Sequence, residues 1–239
     1  RRNYSLFVTT SQDIHLPNGD IYIKKHMDGV IFAGEVDIRV IEEFRKQSIP
    51  VVLVNNYLDM DGLVCISADH YGGAVQATEY LCKLGHCKIG LLSGRFSPQV
   101  SEARIEGFVK TLAKYDIPVD DRFIADIEPA LEDGEEIMTR MLRGVDRPTA
   151  FFCTNDTIAA GAMKAVTRAG LRVPEDIAII GFDDSYISRV VEPELTTVRI
   201  DAAKMGCLAM QTLFDLIAGM PVEKAHIQIP TELIVRGTA

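Results

Sequence analysis

The sequence has no long apolar run and no excess of basic residues. None of its apolar runs approaches the roughly 18 residues that a membrane-spanning helix needs. Residues 1–5 lack the apolar stretch of a secretion signal, which favours a cytoplasmic protein. With 34 acidic and 25 basic residues, the formal net charge is −9. Because a protein that grips a phosphate backbone needs clustered Lys and Arg, we do not expect this stretch itself to bind DNA.

Cysteines are few and irregularly placed. The chain has five, an odd number, and no two of them have the spacing of a zinc site. A disulfide framework is not expected in a chain of 239 residues, which can bury a sizeable core. We therefore expect free thiols in a reduced compartment, at Cys65, Cys82, Cys87, Cys153 and Cys207.

Signatures of common enzyme classes are missing. The sequence has no Gly-x-x-x-x-Gly-Lys phosphate loop, no Gly-x-Gly-x-x-Gly motif and no Gly-x-Ser-x-Gly turn. Its five histidines form no metal-ligand pair. Cys153 falls in an apolar run and is expected to be an inert core thiol, and Glu135-Glu136 to be a solvated helix face. We therefore predict no catalytic activity, no cofactor and no metal site.

The sequence does contain short apolar runs that alternate with amphipathic helical stretches. The runs are continuous, which is typical of strands covered on both faces, and lie at 6–9, 29–33, 51–54, 89–93, 123–125, 150–153 and 177–181. Between them, apolar residues recur at helical spacing and each pattern stops at a glycine or a polar residue. The positions are Ala74, Ala77, Leu81 and Leu84 before Gly85, Ile105, Phe108 and Leu112, and Ile158, Ala162 and Val166 before Gly170. Repeated strand–helix–strand units predict an α/β fold with doubly wound parallel sheets.

The end of the chain departs from this alternation. A long helix is predicted over residues 202–218, followed by a stop at Gly219 and Pro221 and a final strand over 227–235. A lone helix and a lone strand suit a chain that crosses back between two lobes, each a nucleotide-fold half, which meet near Ser67.

Polar residues follow several predicted strands. Asn55-Asn56 comes after the run at 51–54, Asn155-Asp156 after 150–153 and Asp183-Asp184 after 177–181, and Arg104 lies near the start of the helix that follows 89–93. Open α/β sheets bind ligands at the carboxyl ends of their strands. Such side chains could hold a polyhydroxylated ligand through paired hydrogen bonds.

Each of these residues also has a simpler structural interpretation. Asn155 or Asp156 could cap the helix that begins there. Asp184 is better explained as a turn or cap residue than as a ligand contact, and Arg104 could pair with Glu102 or Glu106 on its own helix. Four polar residues at four strand ends are harder to explain together by these alternatives.

A series of different short motifs extends along nearly the whole chain. They are Met27-Asp28-Gly29-Val30-Ile31, Ile49-Pro50-Val51-Val52, Gly72-Gly73, Leu84-Gly85-His86, Arg104-Ile105-Glu106-Gly107-Phe108, Arg147-Pro148-Thr149-Ala150-Phe151-Phe152-Cys153-Thr154-Asn155-Asp156, Val173-Pro174-Glu175-Asp176, Gly181-Phe182-Asp183-Asp184, Leu195-Thr196-Thr197-Val198 and Pro230-Thr231-Glu232-Leu233. In this order and spacing the sequence resembles the effector-binding core of the lactose/galactose-repressor family of bacterial transcription regulators.

The resemblance implies two similar lobes of the periplasmic-binding-protein type, joined by crossover connections around a ligand cleft. The first lobe would comprise residues 1–66 and 198–224, and the second 67–197 and 225–239. The implied effector contacts are Asn55, Arg104, Asn155 and Asp183. Ile127 stands where relatives often have an aromatic ring that stacks on the ligand, and Asn55 where they commonly have an aspartate.

Family members also carry segments that we do not find in this sequence. The resemblance implies a DNA-binding helix-turn-helix headpiece, a hinge, and a first strand and helix of the first lobe, all upstream of Arg1. We therefore expect the sequence to be a fragment or to omit residues. The segment 13–26 is likewise shorter and less helical than the family's second helix.

A homodimer through the second lobe is a further expectation. Apolar residues cluster at 186–191, just after the last predicted strand of that lobe, and exposed clusters of this kind often mark interfaces. Relatives dimerise through the matching segment and through the helix at 160–168, which implies interface positions at Ala160, Met163, Lys164, Thr167, Ile187, Val190 and Val191. Alternatively, these residues pack beneath their own lobe.

Together these features predict a ligand-sensing regulatory domain of a transcription repressor or activator. A small polar effector, such as a sugar or related metabolite, would control allosterically how a dimer's headpieces bind operator DNA. The alternative is a periplasmic sugar-binding protein of a transporter.

Overall fold

The structure is a computed structural model that describes residues 4–9, 27–56, 58, 60–144, 146–222 and 225–239. The chain separates into two compact units, residues 1–67 with 203–227 and residues 68–202 with 228–239. In chain order its elements are β1 (Val30–Ala33), α1 (Ile38–Lys46), β2 (Val51–Val54), β3 (Val64–Ala68), α2 (His70–Lys83), β4 (Ile89–Gly94), α3 (Pro98–Lys114), β5 (Ile124–Ile127), α4 (Leu131–Met141), β6 (Ala150–Cys153), α5 (Asp156–Arg168), β7 (Ala178–Asp183), β8 (Thr196–Arg199), α6 (Ala202–Ile217), β9 (His226–Ile229) and β10 (Glu232–Ile234).

The described strands form two sheets. One has the order β1-β2-β3-β9, and β1, β2 and β3 are parallel. The other has the order β10-β8-β7-β6-β4-β5, parallel except for β10, which pairs antiparallel with β8 at the edge. The predicted α/β fold with parallel sheets is confirmed.

Helices cover both faces of the six-stranded sheet, and this burial explains the continuous apolar runs. In β6, Phe151 and Cys153 pack among residues of α4 and α5. Phe152, between them, points to the opposite face and packs near Phe108 of α3, with 6.4 Å between ring centroids. Complete burial raises the pKa of the Cys153 thiol, so this cysteine is the unreactive core residue that we expected.

Most elements lie where their patterns predict them. The strands at 51–54 and 150–153 match β2 and β6, and those at 29–33, 89–93 and 177–181 match β1, β4 and β7 to within two residues. Helix α2 ends just before Gly85, whose φ of +91° is a left-handed conformation that glycine adopts without steric cost. The run at 123–125 is displaced, because Asp121–Phe123 forms a 3-10 turn and β5 begins at Ile124.

Four strand assignments need correction. Residues 6–9 are not a strand; they have no regular structure, and their side chains are exposed. Strands β3 and β8 were not predicted, because small and polar residues interrupt their apolar positions although both are almost fully buried. The final strand is two strands, β9 and β10, separated at Pro230 and Thr231, because proline has no N–H to donate to a ladder.

The segment 13–26, which we expected to be shorter and less helical than the family's second helix, lies outside the described residues.

Candidate functional site

Arg104 is the buried centre of a polar cluster in the second unit. It lies in the second turn of α3 and is only 3% exposed. Helix α3 comes close to α2 because Gly107 has no side chain; a Cβ there would lie 2.7 Å from the carbonyl oxygen of Tyr71. This close approach brings Arg104 near the first residue of α2.

The guanidinium of Arg104 contacts groups from four other parts of the unit. Its Nη1 donates to the carbonyl oxygen of Thr154, directly after β6, and its Nη2 donates to Asp183 Oδ1 at the end of β7 (3.2 Å). Nε and Nη2 lie 3.4 and 3.2 Å from Nδ1 of His70. The carbon Cζ lies 3.9 Å from the Phe182 ring centroid and 5.0 Å from that of Phe96. We call these six residues the Arg104 cluster.

Asp183 is the most accessible charged member of the Arg104 cluster. Its side chain is 36% exposed, and its φ of 109° is unusual for a residue other than glycine. Burial raises the pKa of the Asp183 carboxyl, and the neighbouring Arg104 opposes that rise. The predicted contacts Arg104 and Asp183 therefore do meet, and the alternative pairing of Arg104 with Glu102 or Glu106 is not what the structure shows.

Asn155 sits next to the cluster and caps α5. Its Oδ1 accepts a hydrogen bond from the backbone N–H of Ile158 (2.8 Å), so the capping interpretation is confirmed for this residue. Capping occupies the side-chain oxygen, and the amide nitrogen is the group that could donate to a ligand. The two interpretations of Asn155 are therefore compatible.

Asp156 does not cap α5 with its side chain. Its Oδ2 accepts from the backbone N–H of Ser185 (2.6 Å) and its Oδ1 from the hydroxyl of Thr197 (2.5 Å). Burial raises the pKa of Asp156 to about 6, although these hydrogen bonds favour the charged form. Asp156 thus ties α5 to the turn after β7 and to β8.

Asp184 adopts the expected turn conformation, with φ of 50°, and is also the covered centre of an ion-pair group in which Arg189 is exposed and Arg199 partly exposed. Its side chain is 2% exposed and pairs with Arg236 (2.5 Å), Arg199 (2.7 Å) and Arg189 (3.2 Å). Burial by itself would raise the pKa of Asp184, but these arginines, above all Arg236 and Arg199, lower it to about 2. The sequence pattern did not reveal this ion-pair role.

Asn55 and Ile127 remain predicted effector contacts that no contact in the structure tests. Asn55 belongs to the first unit, where it follows β2 with a φ of 50° and donates its backbone N–H to Ile66 (2.8 Å). Ile127 ends β5 beside Gly94 and packs partly buried against the core around Phe151. The rings that approach Arg104 are those of Phe182 and Phe96. Phe96, two residues after the end of β4, was not predicted from the sequence.

Two of the expected dimer positions are covered within the chain itself. Ala160 and Met163 are buried in the second unit, as the alternative interpretation had it, and α4 packs against α5. Lys164 and Thr167 are exposed on the same helix. At 186–191, Tyr186 is 83% exposed, and Val190 is 54% exposed, whereas Ile187 and Val191 are half-buried.

Glu135 was expected to be solvated, and this expectation is wrong. Its side chain is largely covered and pairs with Lys164 (2.8 Å) and Arg168 of α5, so it joins α4 to α5. Glu136 is exposed, as expected.

Within the described residues, no three His, Cys, Asp or Glu side chains come together in a way that could hold a metal ion. None of the helices in that part of the chain is both long and apolar enough to cross a membrane.

Comparisons with known proteins agree on one family. A family model for a periplasmic binding protein-like domain matches residues 78–239. The probable HTH-type transcriptional repressor ExuR of Bacillus subtilis (strain 168) is 34% identical over 236 residues, which are 98% of this chain and 70% of that relative. The HTH-type transcriptional repressor PurR of Pasteurella multocida (strain Pm70) is 33% identical over 248 residues, 99% of this chain and 72% of that relative.

A solved structure extends the likeness to the fold. The crystal structure of a LacI family transcriptional regulator from Enterococcus faecium with bound ribose matches with a TM-score of 0.81 and 28% identity, covering 88% of this chain and 79% of that one. The relatives named here are transcription regulators and not enzymes.

Proposed function

Because the chain belongs to the LacI family of transcription regulators, we propose that it binds a small polar effector, a sugar or a related metabolite, and thereby controls operator binding by the intact regulator. The observation that carries the proposal is the pair formed by buried Arg104 and partly exposed Asp183. The proposal includes Asn55, Asn155 and Ile127 as further effector contacts.

The chemistry of the pair favours a ligand with hydroxyl or N–H donors. A carboxylate accepts hydrogen bonds at both oxygens, and Arg104 uses only Oδ1 of Asp183 among the described contacts. The partly exposed Asp183 is thus the group that meets the ligand directly. Arg104 holds the carboxylate in place and supplies the compensating charge.

A thermal-shift screen tests the proposed ligand class. We expect at least one compound from a panel of monosaccharides and sugar acids to raise the melting temperature of the protein, since a ligand at about 100 times its Kd stabilises the folded state by about 2.7 kcal/mol. A panel in which no compound shifts the transition at millimolar concentration would contradict the proposed class.

The assignment of Asp183 is tested with the compound found in this screen. Loss of a charged partner in a desolvated site costs about 2–5 kcal/mol, so Asp183→Ala should weaken binding at least about tenfold in a calorimetric titration. Asp176→Ala is the matched control, because Asp176 pairs with Arg172 alone on the surface of the same unit. Equal affinity of wild type and Asp183→Ala would refute the assignment.

We also propose that the regulator acts as a homodimer through the exposed segment at 186–191. A two-fold axis places each substitution in the interface twice, so Val190→Asp should convert a dimer to a folded monomer in light scattering. Val119→Asp, at another exposed valine of the same unit, should leave the dimer intact. A Val190→Asp protein that is still dimeric would place the interface elsewhere.

A further inference from the structure

His70 is a buried member of the Arg104 cluster that the proposed function does not yet use. It is the first residue of α2, directly after the capping residue Asp69, and is only 2% exposed. Its ring lies against Phe182, with 6.0 Å between ring centroids. Helix start and aromatic packing together hold the imidazole beside Arg104.

The protonation of His70 follows from its contact with Arg104. Guanidinium nitrogens only donate, so Nδ1 must accept the hydrogen bonds from Nε (3.4 Å) and Nη2 (3.2 Å). A ring nitrogen that accepts carries no proton, so the neutral imidazole has its proton on Nε2. Burial, together with the charge of Arg104, lowers the pKa of His70 to about 3, so the ring stays neutral at physiological pH.

These contacts restrain the orientation of the guanidinium. Thr154 accepts from Nη1, whereas Nη2 is directed to both His70 and Asp183. The rings of Phe96 and Phe182 lie near the guanidinium carbon and limit its displacement. A neutral acceptor at position 70 fixes the orientation of the planar Arg104 guanidinium. Asp183 is left as the anionic partner of Arg104 in this cluster.

We propose that His70 is a positioning residue, whose Nδ1 orients Arg104 so that its Nη2 holds Asp183 in the effector-binding geometry. This inference rests on the proposed function for its biological meaning. It concerns a hydrogen bond inside the protein, however, and can be tested without any effector.

Nitrogen NMR of the whole chain measures this hydrogen bond directly. In wild type at neutral pH, we expect the ¹⁵N shifts of His70 to show an unprotonated Nδ1 and a protonated Nε2. Assignment comes from the signals that disappear in His70→Asn. A protonated Nδ1, as in the other neutral tautomer or the imidazolium, would overturn the proposal. The measurement itself is made on wild type, and His70→Asn is needed only to assign the signals.

The effect on Arg104 is measured by solvent exchange of its Nε–H proton. His70→Phe keeps a packed ring but removes the acceptor, so exchange of the Arg104 Nε–H should become at least tenfold faster. His70→Asn should restore slow exchange, because Asn Oδ1 is attached at the same distance along the side chain as His Nδ1. Arg236, whose side chain donates to Asp184, Ser188 and Leu195, is the internal control and should not change.

The outcomes separate the two proposals. If His70→Phe leaves the Arg104 exchange rate at the wild-type value, His70 does not position Arg104, even where Asp183→Ala abolishes effector binding. If exchange accelerates in His70→Phe and recovers in His70→Asn while Asp183→Ala binds normally, the positioning role stands and the effector assignment fails.

Discussion

Asp183 and Asp184 are neighbours in sequence, yet the turn after β7 places them in opposite environments. Asp183 meets one arginine in the Arg104 cluster and is partly open to solvent, whereas Asp184 is covered and pairs with three arginines. The pKa of Asp183 is raised, chiefly by burial, and that of Asp184 is lowered to about 2 by its arginines. One carboxylate can therefore serve binding, while the other holds the turn and the C-terminal tail together.

The largest expected effect comes from Asp184→Ala. Removing one partner of a buried ion pair costs about 3–5 kcal/mol, and here Arg236, itself largely covered, would lose the carboxylate at 2.5 Å and keep the more distant one of Glu194 (3.6 Å). We expect the free energy of unfolding, measured by urea denaturation, to fall by about that amount. The surface variant Asp176→Ala should change it far less, and equal losses in the two variants would show that the Asp184 ion pairs contribute no more to stability than a surface pair.

A second prediction concerns pH and Asp156. Because its pKa is raised to about 6, the folded state binds this proton more tightly than the unfolded chain does. The stability that Asp156 contributes therefore decreases as the pH rises from the ordinary aspartate pKa of about 4 to about 6.

Asp156→Asn should remove that decrease. Asn can still accept from Ser185 and donate to Thr197. The free energy of unfolding of the variant, relative to that of wild type, should therefore rise by about 1–3 kcal/mol between about pH 4 and pH 7. Urea denaturation of both proteins across this pH range measures the difference. The stability that Asp184 contributes depends on pH in the opposite direction. It is present above the ordinary aspartate pKa and is lost as the pH falls toward about 2. A constant difference between Asp156→Asn and wild type would contradict a raised pKa at Asp156.

The smallest effect on stability is expected for Asp183→Asn. The side chain is partly exposed, its amide oxygen can still accept from Arg104, and the change in unfolding free energy should be below about 1 kcal/mol. Urea denaturation at neutral pH measures it beside Asp184→Ala. A loss of unfolding free energy as large as that of Asp184→Ala would mean that Asp183 stabilises the fold and is not primarily a ligand-binding residue.

The predictable part of the site was the part that lay next to a recognisable strand. The runs before Asn155 and Asp183 are continuous and apolar, so their strand ends, and the polar residues there, could be read directly. His70 was missed because β3, the strand before it, contains Cys65, Ser67 and Ala68 and does not form an apolar run. Recognising β3 would have added His70 to the strand-end residues.

The sequence by itself determined the alternation of strands and helices, the order of the motifs and the residues that stand at several strand ends. These features depend on neighbouring residues and on the periodicity with which apolar side chains recur. The pairings depend on strand order and helix packing, which join residues far apart: His70 and Arg104 are 34 positions apart, Arg104 and Asp183 are 79 apart, and Asp184 and Arg236 are 52 apart. The family resemblance singled out Asp183 as a contact, but only the tertiary structure could show that Asp183 faces Arg104 while Asp184 pairs with other arginines, because both carboxylates stand at the same strand end and the backbone of the turn directs them apart.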